Sequence, residues 1–301
     1  MPDGREGRAG AALLGVLAVV AAAAGISFSS VLSPLAYAEG ANAYTLILLR
    51  FIGSAGLCGL WLKSRGASLQ LHRSALLVCF GAGLGYAAGS GLLLVAFQTV
   101  PVSLAVLVFF TFPLLTLLWT ALLERRIPAP RLIACVLAAF AGLAVMLGVE
   151  TKQLHPVGLA CALMAAFGVS SAFVWTGRAL TGVPSVLVTF HMSLVGLMAA
   201  ALLVLLGDLW SPPQADGPGW LLVVGVVAGF CLAFFGMFAG VQRIGALPAA
   251  LLMNLEPVFT VSLAFLLLGE RLTGVQLAGA LLVVAAVSLA QRWMAGTGNA
   301  R

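Results

Sequence analysis

Residues 251–271 read LLMNLEPVFTVSLAFLLLGER, and they decide what kind of protein this is. Glu256 lies in the middle of an apolar run long enough to cross a bilayer, directly before Pro257. A hydrocarbon core of about 30 Å takes about 20 residues of helix. A charge at its centre costs about 2.5–3.5 kcal/mol on insertion scales and more in simulations. Such a residue faces the bundle interior or a wet cavity, and the surrounding sequence has to supply one.

Composition fixes the solvent. Of 301 residues, 62% are hydrophobic and 8% charged, with a mean hydropathy of +1.14. Soluble domains are about 45–50% apolar and about 25% charged, so a soluble fold is excluded and the chain reads as an all-α integral membrane protein. The net charge of +6 would suggest nucleic acid in a soluble protein. Topology accounts for it here, and no nucleic-acid partner is expected. Cys58, Cys79, Cys135, Cys161 and Cys231 all fall within apolar runs with no paired spacing. They read as packing residues, and neither a metal site nor a cofactor is expected.

Runs of spanning length cover residues 10–33, 41–62, 74–97, 101–123, 131–149, 157–176, 185–206, 219–240, 246–268 and 274–293. They predict ten transmembrane helices joined by short, Pro- and Gly-marked connections. Arg5 and Arg8 followed by an apolar stretch, with Ala36-Tyr37-Ala38 beyond, invite comparison with a signal peptide. The stretch is longer than the usual apolar core of about 7–15 residues, so it reads as the first helix. With the N-terminus in the cytoplasm, twelve Lys and Arg fall in cytoplasmic connections or termini, and only Lys152 and Arg271 fall outside. That asymmetry follows the positive-inside rule and places both termini in the cytoplasm of a cell that has an inner membrane. The six tryptophans fall near helix ends, as interfacial anchors do.

The halves repeat. TFPLLTLLWTALLERRIPAPRLIACVLAAFAGLAVML (111–147) matches LEPVFTVSLAFLLLGERLTGVQLAGALLVVAAVSLAQ (255–291), with Pro113 over Pro257 and Arg126 over Arg271 after one slipped residue. GISFSSV from Gly25 lies over GVSSAFV from Gly168. Residues 1–150 and 151–301 then form two five-helix repeats, and an odd helix number inverts the second copy, an arrangement suited to alternating access. Gly81, Gly85 and Gly89 in the third helix, with Gly225/Gly229 and Gly236/Gly240 in its counterpart, form small-residue ridges expected at a moving seam.

ANAYTLILLRF (41–51), VPVSLAVLVFFTFPLLTLLWTALLERR (100–126) and LEPVFTVSLAFLLLGERLTGVQLAGALLVVAAV (255–287) resemble the EamA-type members of the drug/metabolite transporter superfamily. The resemblance covers nearly the whole chain. It implies a ten-helix inner-membrane carrier, usually an exporter of amino acids or other small metabolites, with a central cavity and with helices five and ten packed at the back. The chain departs from the pattern at AAGISFSS (23–30), where Trp-Gly-Asn/Ser is frequent, and at LLERR, where Gly-Glu-Arg is usual. Both departures bear on the substrate and leave the fold as implied.

Candidate cavity residues are Ser27, Ser30, Tyr86, Ser90, Thr111, Ser170, Phe230 and Asn254, with Glu256 the candidate for substrate binding or proton coupling. This lining suits a small amphipathic solute better than a polyanion, which would call for several Arg or Lys at depth. Pro113 and Pro257 are expected to interrupt their helices, because proline cannot donate a backbone hydrogen bond. Arg50, with Gly53 and Ser54 beside it, reads as a structural residue able to bond carbonyls or a carboxylate. Glu256 is accordingly either paired with Arg50, or a neutral carboxyl on the carbonyl freed near Met253, or a cavity group that binds an amine or carries a proton. His191 lies near its helix end and reads as structural.

Catalysis finds less support. Asp3, Asp208 and Asp216 lie outside the helices, no HExxH is present, and Ser90 with His191 has no motif behind it. A membrane receptor or assembly protein is the other alternative to a carrier.

Overall fold

The computed structural model describes residues 3–125, 127–148, 155–214, 217–269, 271 and 273–298. Arg126, Lys152, Asp216 and Arg301, which entered the repeat, charge and catalysis arguments, lie outside the described residues. Among the described residues all regular structure is helical: α1 (Asp3–Ala38), α2 (Ala43–Ser64), α3 (Arg73–Thr99), α4 (Val102–Phe109), α5 (Phe112–Glu124), α6 (Pro130–Leu147), α7 (Pro156–Ala179), α8 (Ser185–Leu206), α9 (Gly219–Ile244), α10 (Ala246–Leu252), α11 (Leu255–Leu268) and α12 (Gly274–Gly298). The pairs α4/α5 and α10/α11 each make one interrupted span, giving 10 spans long and apolar enough to cross a membrane. Leu205, Leu206, Leu221 and Leu266 point outward with 71–80% of their surface exposed. Leucines so placed are tolerable only against lipid, and the chain is a multi-pass membrane protein.

The first span outruns its expected end and continues through Pro34 to Ala38. A proline removes only its own backbone donor, and an apolar helix can carry on beyond it where neighbours satisfy the freed group. At the other extreme, α6 stops at Leu147 because Gly148 takes a left-handed φ of 56°, the usual close to a helix.

The repeat governs the packing. Helix α1 lies along α9, while α3, the counterpart of α9, lies along α7, the counterpart of α1. Counterparts also meet directly, α2 against α8 and α6 against α12. Every one of these main contacts joins one half of the chain to the other. The two inverted five-helix repeats are interleaved, and the largest packing faces of each half are buried by the other.

Glycine sets the closeness of the crossings. A Cβ built on Gly229 would lie 2.5 Å from the Gly25 carbonyl oxygen, and one on Gly168 would lie 2.5 Å from that of Gly85. The two contacts are repeat equivalents, and both require bare backbone. Gly89 meets Ala165 of α7, and Gly236 and Gly240 meet α1. Gly81 does not belong to the seam: it has open space around it. The ridge on α3 is therefore two glycines long and not three, because α3 leaves α7 toward its start.

The ends of the bundle differ. At one end the α1–α2 and α8–α9 connections are cross-linked. Gln214 donates its N–H to the Glu39 carbonyl (2.9 Å), and the Ser211 hydroxyl donates to that of Gly40 (2.7 Å). The Ser211 N–H donates to Thr45 Oγ1 (2.9 Å), and Asn42 Nδ2 donates to the Leu209 carbonyl (2.8 Å). At the opposite end the repeat-related connections, 65–72 and 180–184, make hydrogen bonds only within themselves and their own helix ends among the described residues.

Candidate functional site

The site grows from the two interruptions. In the first, Phe110 donates to Val106 (2.9 Å) and Thr111 to Val108 (3.1 Å), so the chain tightens by one residue before α5 begins. In the second, Met253 donates to Ala249 (3.1 Å) and Asn254 to Leu251 (3.1 Å). Each break precedes its proline, which then sits in the first turn of α5 or α11, where backbone donors have no helical partner to lose. The carbonyl of Met253, expected to be free, accepts the N–H of Glu256 at 2.9 Å. The shortened turn satisfies it, and among the described residues the Glu256 carboxyl makes no hydrogen bond to it.

Hydroxyls brace both breaks. Thr116 Oγ1 bonds the Phe112 carbonyl (2.8 Å) and reaches Ser170 Oγ (3.1 Å). In the second half, the Glu256 carbonyl receives Ser27 Oγ (2.7 Å) and Thr260 Oγ1 (3.0 Å). Under the sequence repeat, Ser27 corresponds to Ser170, Thr116 to Thr260, and Phe112 to Glu256.

Between the breaks lies a cavity of about 40 Å³. The first half walls it with Ile26, Tyr86, Phe109 and Phe112, the second with Val169, Phe173, Ala233, Met237, Met253 and Glu256. That volume holds a few water molecules, whereas small-molecule sites run to about 300–1,000 Å³. The space between the breaks is thus smaller than a usual small-molecule site. Glu256 brings the wall its only ionisable carboxyl, and among the described residues nothing hydrogen-bonds or ion-pairs that carboxyl.

Of the other expected site residues, Tyr86 is on the wall, with its ring 4.9 Å from that of Phe234. Asn254 is buried in the break itself and does not wall the cavity. Thr111 bonds back to Val108 (2.7 Å), and Ser90 to the Tyr86 carbonyl (3.0 Å), one turn along α3. Ser30 is half-buried on α1, away from this wall. Pro113 and Pro257 are buried behind their breaks. Phe230 stacks on Phe234 at 5.2 Å, one layer behind Tyr86. His191 holds the Leu187 carbonyl within 2.9 Å and sits outside the cavity. The apolar wall residues Phe109, Phe112, Phe173 and Met237 were missed by sequence reasoning. The repeat offered a signal for one of them, since Phe112 falls opposite Glu256.

Arg50 does not form an ion pair with Glu256 among the described residues. Its Nη2 donates to Ser33 Oγ (2.8 Å), its guanidinium carbon lies 5.8 Å from the Phe230 ring centre, and its Nε is buried without a partner. Tyr37, Tyr86 and Glu256 all lie within electrostatic reach of its charge. Gly53 and Ser54 leave it no room: Gly53 faces Val227 of α9, and the Ser54 hydroxyl meets that of Ser193 at 2.8 Å. Those small residues serve helix approach, and the guanidinium turns instead toward α1.

Comparison with known proteins agrees with this architecture. A solved crystal structure with 23% sequence identity superposes with a TM-score of 0.76, over 95% of this chain and 98% of that one. An uncharacterized transporter of Synechocystis sp. is 24% identical over 277 residues, 82% of this chain and 79% of that protein. Protein PecM of Dickeya dadantii is 24% identical over 185 residues, 60% of this chain and 61% of PecM, so the match spans under two thirds of that relative. The EamA-like transporter family matches twice in tandem, at residues 13–148 and 156–291, once for each interleaved half. With both copies present around a shared cavity, this chain belongs to the EamA-like transporter family and is a membrane transporter.

Proposed function

We propose that the protein is a secondary carrier of the inner membrane that exports small metabolites or amino-acid-like solutes by alternating access. The observation that carries this reading is Glu256: an unpaired carboxyl at a helix break, on a cavity to which both inverted halves contribute. Carriers of inverted-repeat design put their sites at such discontinuities near the bilayer midplane. In this reading Glu256 binds solute or carries a coupling proton, Tyr86 offers its hydroxyl beside it, and Asn254, Thr111, Ser90 and Ser30 line the route when the cavity expands. Expansion comes from exchange between the halves, with the cross-linked connections at the Asn42 end parting as the opposite end closes. Both termini are cytoplasmic, so the cross-linked end faces outward.

Purified protein in liposomes, assayed with a panel of radiolabelled metabolites, tests the reading. Saturable flux is expected, and its absence under every gradient would favour a receptor or assembly role. Orientation is checked in intact cells. A cysteine at Asp208 should react with an impermeant maleimide, and one added after the C-terminus should not.

A further inference from the structure

We propose that the corner where the α5–α6 connection meets the end of α12 binds the headgroup of an anionic phospholipid, with Arg125, Arg131 and Arg292 taking its phosphate. The site requires only that the chain sits in a bilayer, so it stands apart from the solute and from the carrier reading. Three observations support it. The first is charge without internal partners. Arg125 closes α5 with a left-handed φ of 51°, Arg131 lies in the first turn of α6, and Arg292 lies in the last two turns of α12. All three are exposed, and none forms an ion pair or a side-chain hydrogen bond among the described residues. Glu124, the acid beside Arg125, is exposed and pairs with none of them. Guanidinium groups gathered without a counter-charge favour an anion among them.

The second is a prepared platform. The Arg131 guanidinium carbon lies 5.6 Å from the Trp293 ring centre, a stack between the first half and the second. A guanidinium stacked by its face keeps its edge donors for two-point contact with a phosphate. Trp293 itself packs on the buried cluster that includes Leu117 of α5 and Leu247 and Leu251 of α10, and Gln291 Nε2 donates to the Pro248 carbonyl at 2.8 Å. Four helices thus hold the stack in place. The α2–α3 connection leaves the bundle at the same end and carries an arginine stack of another build. There Arg65 lies over Trp61 (5.6 Å), one turn back along its own helix, with no second element to complete it.

The third is an apolar flank. Ile127, between Arg125 and Arg131 in the connection, has 94% of its surface exposed, and Leu118 and Leu122 of α5 are exposed below it. Bare apolar side chains beside a basic rim suit the bilayer interface, where acyl chains cover the one and anionic headgroups the other. A free phosphate or an acidic peptide would use the rim alone.

The test is native mass spectrometry and thermal unfolding of the full chain in detergent, titrated with phosphatidylglycerol, phosphatidylcholine or inorganic phosphate. Phosphatidylglycerol should be retained as an adduct and raise Tm, with an apparent affinity about tenfold or more above that of phosphatidylcholine, and inorganic phosphate should do neither. Replacing Arg125, Arg131 and Arg292 together by Gln should weaken phosphatidylglycerol binding about 100-fold, at about fivefold per interfacial cation. Replacing Lys63, Arg65 and Arg73 together by Gln removes the same charge from the other corner and should leave the affinity nearly unchanged. Ile127→Ser keeps every charge and should still weaken lipid retention several-fold. Equal retention of the two lipids would overturn the inference. So would equal losses in the two triple variants, which would mean diffuse attraction and no site. A rise in Tm with inorganic phosphate matching that with lipid, or full retention in Ile127→Ser, would overturn the lipid as occupant. If the first triple variant does not fold, Ile127→Ser and the titrations of the parent protein decide.

Discussion

The two interrupted spans are built alike and finished differently. Both tighten by one residue at mid-span, both place a proline in the turn that follows, and both brace the new helix with a Ser/Thr hydroxyl pair. Yet the residue before the proline is Phe112 in one half and Glu256 in the other. Symmetry is kept in the backbone and dropped at the side chain. On the carrier reading proposed above, the matched breaks would serve a structure that opens to either side, and the single acid a solute bound in one orientation. The bracing follows suit. The Phe112 carbonyl has one hydroxyl donor, from its own helix, whereas the Glu256 carbonyl has two, one of them reaching over from α1. Each break has one hydroxyl bond between the halves, but in the charged half that bond lands on the backbone of the break itself, whereas in the other it joins Thr116 to Ser170, side chain to side chain.

That contrast can be broken by substitution. The largest effect is expected from the glycine crossings, because a side chain there meets backbone. Gly229→Val and Gly168→Val should each abolish most of the folded yield, read by size-exclusion profile in detergent. If one is tolerated, the crossings are not equivalent. Next comes Glu256→Gln, expected to insert normally and to lose about 10- to 100-fold in gradient-driven transport, the range for a charged hydrogen-bonding group, while retaining some exchange. Phe112→Gln, its mirror image, should cost far less transport. Transport by Glu256→Gln equal to that of the parent at every pH would leave the carboxyl a packing feature.

A smaller difference separates Ser27→Ala from Ser170→Ala. The first removes a bond between halves to the Glu256 carbonyl, worth about 1 kcal/mol net, and should lower transport about fivefold. The second should lower it less, since Thr116 keeps its bond to Phe112. Smallest of all are Pro113→Ala and Pro257→Ala. Because each proline sits where no helical bond is lost, each should shift stability by less than about 1 kcal/mol, read as Tm in detergent. A large loss at Pro257 would mean that the ring itself maintains the break.

Much of this was legible because membrane physics is blunt. Spans, their number and the repeat follow from run length and from Pro113 lying over Pro257. The sequence could not place the breaks, since Phe110-Thr111 and Met253-Asn254 are bent by local tightening two to four residues ahead of the proline that advertises it. The cavity wall was half visible. Glu256 and Tyr86 stand out chemically, whereas Phe109, Phe173 and Met237 look like any other apolar residue until packing chooses their direction. Arg50 could not be resolved at all by spacing. Its small neighbours suggested room, and the tertiary structure filled that room with Val227 and Ser193.

The interleaving of the halves has a consequence for how the chain is born. Helices α1, α2, α3 and α6 each have their main partner in the second half. At about 5–20 residues per second, the second half takes roughly 7–30 s to follow the first off the ribosome. For that interval the faces carrying Gly25 and Gly85, and the buried edge of Arg50, have only lipid or the insertion machinery against them. The first half must be held, not folded, until its inverted copy arrives. A chain that stops between the repeats would be a substrate for membrane proteolysis and not half a transporter.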